Sequence, residues 1–139
     1  MVQLIVGEKG KGKTKELLAK VNSEITKVSG NIVYLDKSTK HMYELNNKVR
    51  MIDVSTYKLD SADKFLGFIY GIISQDHDLM QMYFDSFLKI ASLEGQDISD
   101  FVTKLEDISS NFNVDFVLSV SLNESDLPAS VKDKIIVSL

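Results

Sequence analysis

The stretch "GEKGKGKTKELL" (Gly7 to Leu18) decides how the rest of the chain is read. It fits the pattern G-x-x-x-x-G-K-[ST] without a mismatch: Gly7, four residues from Glu8 to Lys11, then Gly12, Lys13 and Thr14. Each fixed position has a physical task. Glycine lets the backbone turn with positive φ and leaves no Cβ between its N–H groups and a bound phosphate. A lysine at position 13 reaches β- and γ-phosphates as a point charge, and a threonine hydroxyl at position 14 suits Mg²⁺. The helix expected to follow turns its N-terminal dipole and free N–H groups toward the same anion.

Such a pattern arises by chance in roughly one sequence in 200 of this length and composition, so its context matters. "VQLIV" (Val2 to Val6) is a continuous apolar run rich in β-branched residues, as a strand buried on both faces requires. "KTKELLAKVNSEITKVSG" sets Leu17, Leu18, Val21, Ile25 and Val28 on one helical face, with Gly30 in the expected C-cap position. Strand, glycine loop and helix therefore follow in the order a phosphate cradle demands. Gly7, Gly10, Lys11, Gly12, Lys13, Thr14 and Lys15 are the candidate cofactor-binding residues. Lys9, Lys11, Lys13 and Lys15 crowd this one loop, a local exception to a formal net charge of −4. That overall charge argues against binding nucleic acid through the field of the whole molecule.

The 139 residues, 44% of them hydrophobic, predict a single domain over 1–139, which the glycine motif makes a candidate nucleotide-binding domain. With no cysteine in the chain, disulfides and thiolate metal sites are excluded. The longest apolar stretch, Phe65 to Ile73, is too short to span a bilayer, and no signal-like segment opens the chain, so a cytoplasmic protein is expected.

Strand and helix patterns alternate along the chain, which predicts an α/β three-layer sandwich with a mostly parallel sheet of five or six strands. After the first strand and helix comes "NIVYLD", a strand ending at Asp36, then the polar loop "KSTKHMYELNNK" and an expected edge strand in "VRMIDVS". A helix is expected from about Ser61. Its Gly67 and Gly71 form a G-x-x-x-G, read as close packing on the sheet. "LMQMYFD" reads as a strand ending at Asp85, "DISDFVTKLEDISSNFN" as an amphipathic helix and "VDFVLSVS" as a strand ending at Ser121. A turn at Pro128 and a last strand in "KIIVSL" complete the pattern.

A phosphate cradle needs a carboxylate at a strand end to fix Mg²⁺, and two runs offer one: Asp36 and Asp85. Candidate metal residues are thus Thr14, Asp85 and Asp36, with ATP and Mg²⁺ as cofactors. The missing aspartate in "NKVR" (Asn47 to Arg50) disfavours GTP. Neither His41 nor His77 has metal-ligand spacing. Arg50 is the only arginine, which argues against the nucleotide and nucleoside kinases with their several phosphate-clamping arginines; a surface salt bridge is its expected role.

With the motif at Gly7 to Thr14 and these strand ends, the chain resembles a P-loop NTPase of the additional-strand (RecA-like, ASCE) division. It is similar to small bacterial ATP-binding proteins labelled twitching-motility-ATPase-like. The resemblance implies phosphate and metal roles for Gly12, Lys13 and Thr14, and matches Asp85 to the Walker B aspartate. It also matches Ser121 to the polar sensor on the strand between cradle and Walker B strands, making Lys13, Asp85 and Ser121 the implied catalytic residues. The catalytic glutamate usual in RecA-like motors is absent, since Ser86 follows Asp85 and Glu94 lies far down the next segment. Nor is a further N-terminal domain like that of a twitching-motility motor expected. A weak or partner-stimulated ATPase is therefore expected. The alternatives are a non-hydrolysing nucleotide-dependent switch or assembly module, acting through the loop around Lys37 to Lys48 on a protein partner or a second copy, and a small phosphotransferase.

Overall fold

A computed structural model describes all 139 residues. Six parallel strands form one sheet in the order β3-β2-β4-β5-β1-β6, with helices on both faces. The apolar runs make the inner strands: β1 (Val2–Val6), β2 (Asn31–Asp36), β4 (Leu79–Phe84) and β5 (Asp115–Val120). Buried on both faces, they need no polar alternation. The edges are four-residue strands, β3 (Arg50–Asp53) and β6 (Ile135–Ser138). Short edges of this kind leave few unpaired backbone groups for another chain to join.

The period-two alternation of strand side chains divides the core in two. On one face, helix α1 (Lys13–Glu24) buries Leu17, Leu18 and Val21 against Ile5, Ile32, Tyr34, Tyr83 and Val117. On the other lie α2 (Ala62–Ser74), the single turn α3 (Phe87–Ile90) and α4 (Ser99–Phe112). Their Phe65, Ile69, Phe87, Phe101 and Leu105 meet Val33, Leu35, Met82, Phe84, Phe116 and Leu118. Ser61 caps α2 as its position suggests, its Oγ accepting from the Lys64 N–H at 3.1 Å.

Two readings of glycine are corrected. Helix α1 ends at Glu24, so Gly30 is no C-cap. It lies just before β2, where an added Cβ would come within 2.1 Å of the Asp78 carbonyl oxygen. Close approach of the chain entering β4 demands glycine there. Gly67 and Gly71 do not pack on the sheet: both are exposed on the outer side of α2, and a Cβ on either would meet nothing within 4 Å. Ile25 and Val28, expected on the same helical face as Leu17, lie beyond the end of α1. Arg50 pairs with Asp76 at 3.0 Å on the surface. No helix is long and apolar enough to cross a membrane.

Candidate phosphate site

Residues 7–12 form the loop between β1 and α1, at the C-terminal edge of the sheet where open α/β sheets bind ligands. Gly10 and Gly12 sit at φ +87° and +98°, conformations that L side chains avoid. Gly12 is the N-cap of α1, and no side chain caps the helix. The N–H groups of Gly10, Gly12, Lys13, Thr14 and Lys15 consequently donate to nothing within the protein, while Lys11 bonds back to the Glu8 carbonyl. A curved row of unpartnered N–H groups at a helix N-terminus is an anion-binding concavity.

Lys13 is buried in this loop, 7% exposed, and its Nζ donates to the Glu8 carbonyl at 3.1 Å. Burial holds its pKa below the ordinary lysine value, and the nearby Asp85 charge offsets part of that. Lys11 and Lys15 are exposed and do not line the cavity described below, so the basic cluster of the sequence divides into inward and outward members.

Asp85 gathers the site. It follows β4 directly, is 2% exposed, and accepts four hydrogen bonds. Its Oδ1 accepts from Thr14 Oγ1 at 3.2 Å, from Ser119 Oγ at 3.0 Å and from the Ser86 N–H at 2.9 Å. Its Oδ2 accepts from the buried Tyr34 hydroxyl at 2.8 Å. Ser86 holds a left-handed conformation, φ 53°, that aims its N–H at both Asp85 Oδ1 and, at 3.0 Å, Ser119 Oγ. The fixed threonine of the glycine motif and the strand-end aspartate, 71 residues apart, thus touch directly. Burial and the Asp85 charge push the Tyr34 phenol pKa well above its ordinary value, keeping it a donor.

Asp36, at the end of β2, is equally buried at 2%. One of its oxygens accepts from the Lys37 N–H at 2.7 Å; the other, Oδ2, is the one buried side-chain polar atom without a partner. Burial raises its pKa, as does Asp85, against smaller opposing effects from Lys37 and His41.

These residues open onto a cavity of about 720 Å³. Five lysines (9, 13, 37, 40 and 89) and three carboxylates (Asp36, Asp85, Glu94) line it. None of the five lysines joins an ion pair. A protein with a net charge of −4 thus keeps lysines outside any ion pair around this cleft. No cluster of three or more His, Cys, Asp or Glu could hold a metal by itself. This suits Mg²⁺ only in the manner in which one or two carboxylates share it with phosphate oxygens and water.

Ser121 lies one residue beyond β5, exposed at the cavity wall, and its side chain makes no hydrogen bond. The serine that reaches Asp85 is Ser119, buried at 1%. The β4–β5 register pairs Phe84 with Leu118, which sets Asp85 beside Ser119. Ser119, Tyr34 and the bare oxygen of Asp36 had no distinguishing mark in the sequence. Glu94, distant along the chain, returns to the cavity rim through the turn after α3.

No family model matches the chain, and no curated protein matches it.

Proposed function

We propose that the chain is a P-loop nucleotide-binding protein that holds ATP with Mg²⁺ and hydrolyses it slowly, or at a useful rate only when a partner stimulates it. The observation that carries this reading is the row of five acceptor-free N–H groups around buried Lys13, beside a Thr14 hydroxyl bonded to Asp85. Additional support comes from topology: β5 lies between β1, which ends in the glycine loop, and β4, which ends in Asp85, as expected of the additional-strand division.

The residues fit the cofactor they would hold. Thr14 Oγ1 and the Asp85 carboxylate are the groups for Mg²⁺, which would neutralise charge on the β- and γ-phosphates. Lys13 and the loop N–H groups would stabilise the same charge without reorganising. The part of the absent glutamate falls to Asp36. Its Oδ2 has no partner, and its raised pKa brings it nearer the working range of a general base. With ATP held there, Asp36 would be the group that takes a proton from the attacking water.

Calorimetry of ATP with and without Mg²⁺, on wild type and Lys13→Ala, tests the binding; phosphate release from the same samples tests turnover. Binding should need Mg²⁺ for full strength and fall at least a hundredfold in Lys13→Ala. Equal binding by the two proteins overturns the reading.

A switch without turnover is the second reading, favoured by one observation. The loop that lines the cavity with Lys37, Ser38, Lys40 and His41 continues into Tyr43, 93% exposed. An aromatic side chain so placed would couple an occupied cavity to a protein surface. Tight binding with no phosphate release selects this reading.

A further inference from the structure

Lys37 and Lys89 belong to two cavities at once. Both line the large cleft, and both also line a smaller pocket of about 190 Å³ whose apolar walls are Val54, Tyr57, Leu59 and Ile90. The pocket is built from the chain that follows three adjacent parallel strands: Lys37 after β2, Val54 to Leu59 after β3, and Lys89 and Ile90 after β4. Strand ends of this kind are where open α/β sheets take ligands. The glycine loop belongs to β1, three strand spacings from β2, or about 14 Å away.

Two ammonium groups without carboxylate partners favour an anion between them. The apolar walls favour a dry body next to it. A cavity of about 150 Å³ accommodates a benzene-sized group, so the smaller pocket has room for one ring or a compact aliphatic group.

We propose that Lys37, Lys89 and the pocket between Val54, Tyr57, Leu59 and Ile90 bind a second small molecule: one aromatic or compact aliphatic group carrying a phosphate or carboxylate. The anionic head lies in the large cleft, on the far side of Asp85 from the glycine loop, and the body enters the smaller pocket. This site is independent of nucleotide binding and stands even if the glycine loop holds no nucleotide.

The test is amide-resolved NMR of the full chain titrated with phenyl phosphate, with inorganic phosphate and benzyl alcohol as the head-only and body-only probes. Phenyl phosphate is expected to move the amides of Val54, Tyr57, Leu59 and Ile90, and to bind at least about tenfold tighter there than either fragment. The double variant Lys37→Ala/Lys89→Ala should weaken that binding about tenfold or more. The Lys37→Arg/Lys89→Arg variant should restore it, and Lys13→Ala should leave it unchanged. Both lysines are exposed, so their replacement spares the core. Benzoate binding at the same amides supports the site and extends it to carboxylates. The proposal is overturned if phenyl phosphate moves only the Gly10 to Thr14 amides, or if the double alanine variant binds it as wild type does.

Discussion

Asp36 shows what a buried carboxylate with one oxygen unpartnered costs in stability. Its carboxylate is buried, has one oxygen without a partner and lies close enough to Asp85 to feel its charge. The folded chain holds the Asp36 proton more tightly than the unfolded chain does. Its contribution to stability is therefore complete below the ordinary aspartate pKa of about 3.9 and is lost as pH rises through the higher folded value. At neutral pH the buried charge is a liability. Asp36→Asn should stabilise the protein at pH 7 by about 1 kcal/mol, or about 3 °C in Tm, an advantage that shrinks toward pH 4. If Asp36 accepts the proton from water, the same variant should bind ATP normally while turnover falls about a hundredfold or more. Thermal melts at the two pH values and phosphate-release kinetics read the two effects separately. An Asn variant that is no more stable at pH 7 than at pH 4 would show that the charge is not buried in solution. At Asp85 the balance is the reverse: four donors compensate the buried carboxylate, and Tyr34 supplies the one that closes its second oxygen.

At the scale of elements, glycine separates packing demand from conformational demand. Gly30 has no room for a Cβ because backbone, not a flexible side chain, approaches to 2.1 Å. Gly67 and Gly71 have open space on an exposed helix face, where glycine only weakens the helix. Opposite outcomes are expected from one substitution. Gly71→Ala should raise stability by about 0.5–1 kcal/mol, as helix propensity dictates. Gly30→Ala should lower it by about 2 kcal/mol or more, because the start of β2 or the turn into β4 has to shift. Urea unfolding of the two variants decides the matter, and a neutral Gly30→Ala would overturn the close crossing at Asp78 as the reason for glycine. The G-x-x-x-G spacing alone could not reveal this, because it fixes only that the two glycines share a helix face and not what that face meets. Helix α1 is similar: apolar spacing continued to Val28, but the helix stops at Glu24 so that the chain can turn back under the sheet edge and begin β2.

Across the whole molecule, stability rests on an aromatic seam beneath α2, α3 and α4. Phe84 stands at its centre, fully buried, with ring centroids 5.3 Å from Phe65, 5.6 Å from Phe116 and 6.3 Å from Phe87. Phe84→Ala should remove about 3–5 kcal/mol, a large share of the 5–15 kcal/mol that holds a domain of this kind. Ile136→Ala, on the edge strand and 41% exposed, should cost less than about 1 kcal/mol. Chemical denaturation of the pair measures the difference, and similar midpoints would displace the seam from its central role. Phe84 immediately precedes Asp85, so the same seam fixes the strand end that carries the site.

The sequence by itself determined the layer order and the ends of the strands. Strands buried on both faces are continuous apolar runs, and the polar residue after each run marks where the strand ends. Asp36, Asp85 and the glycine loop were legible for that reason. Tertiary structure decided which of them meet. Register between parallel strands depends on packing over the whole sheet, and it brought Ser119 rather than Ser121 to Asp85. Strand order placed Tyr34 within reach of Asp85, and burial without a partner distinguished Asp36 Oδ2 from any other carboxylate oxygen. Local composition fixes where a chain enters and leaves its core; only the folded sheet fixes which exits share one cavity.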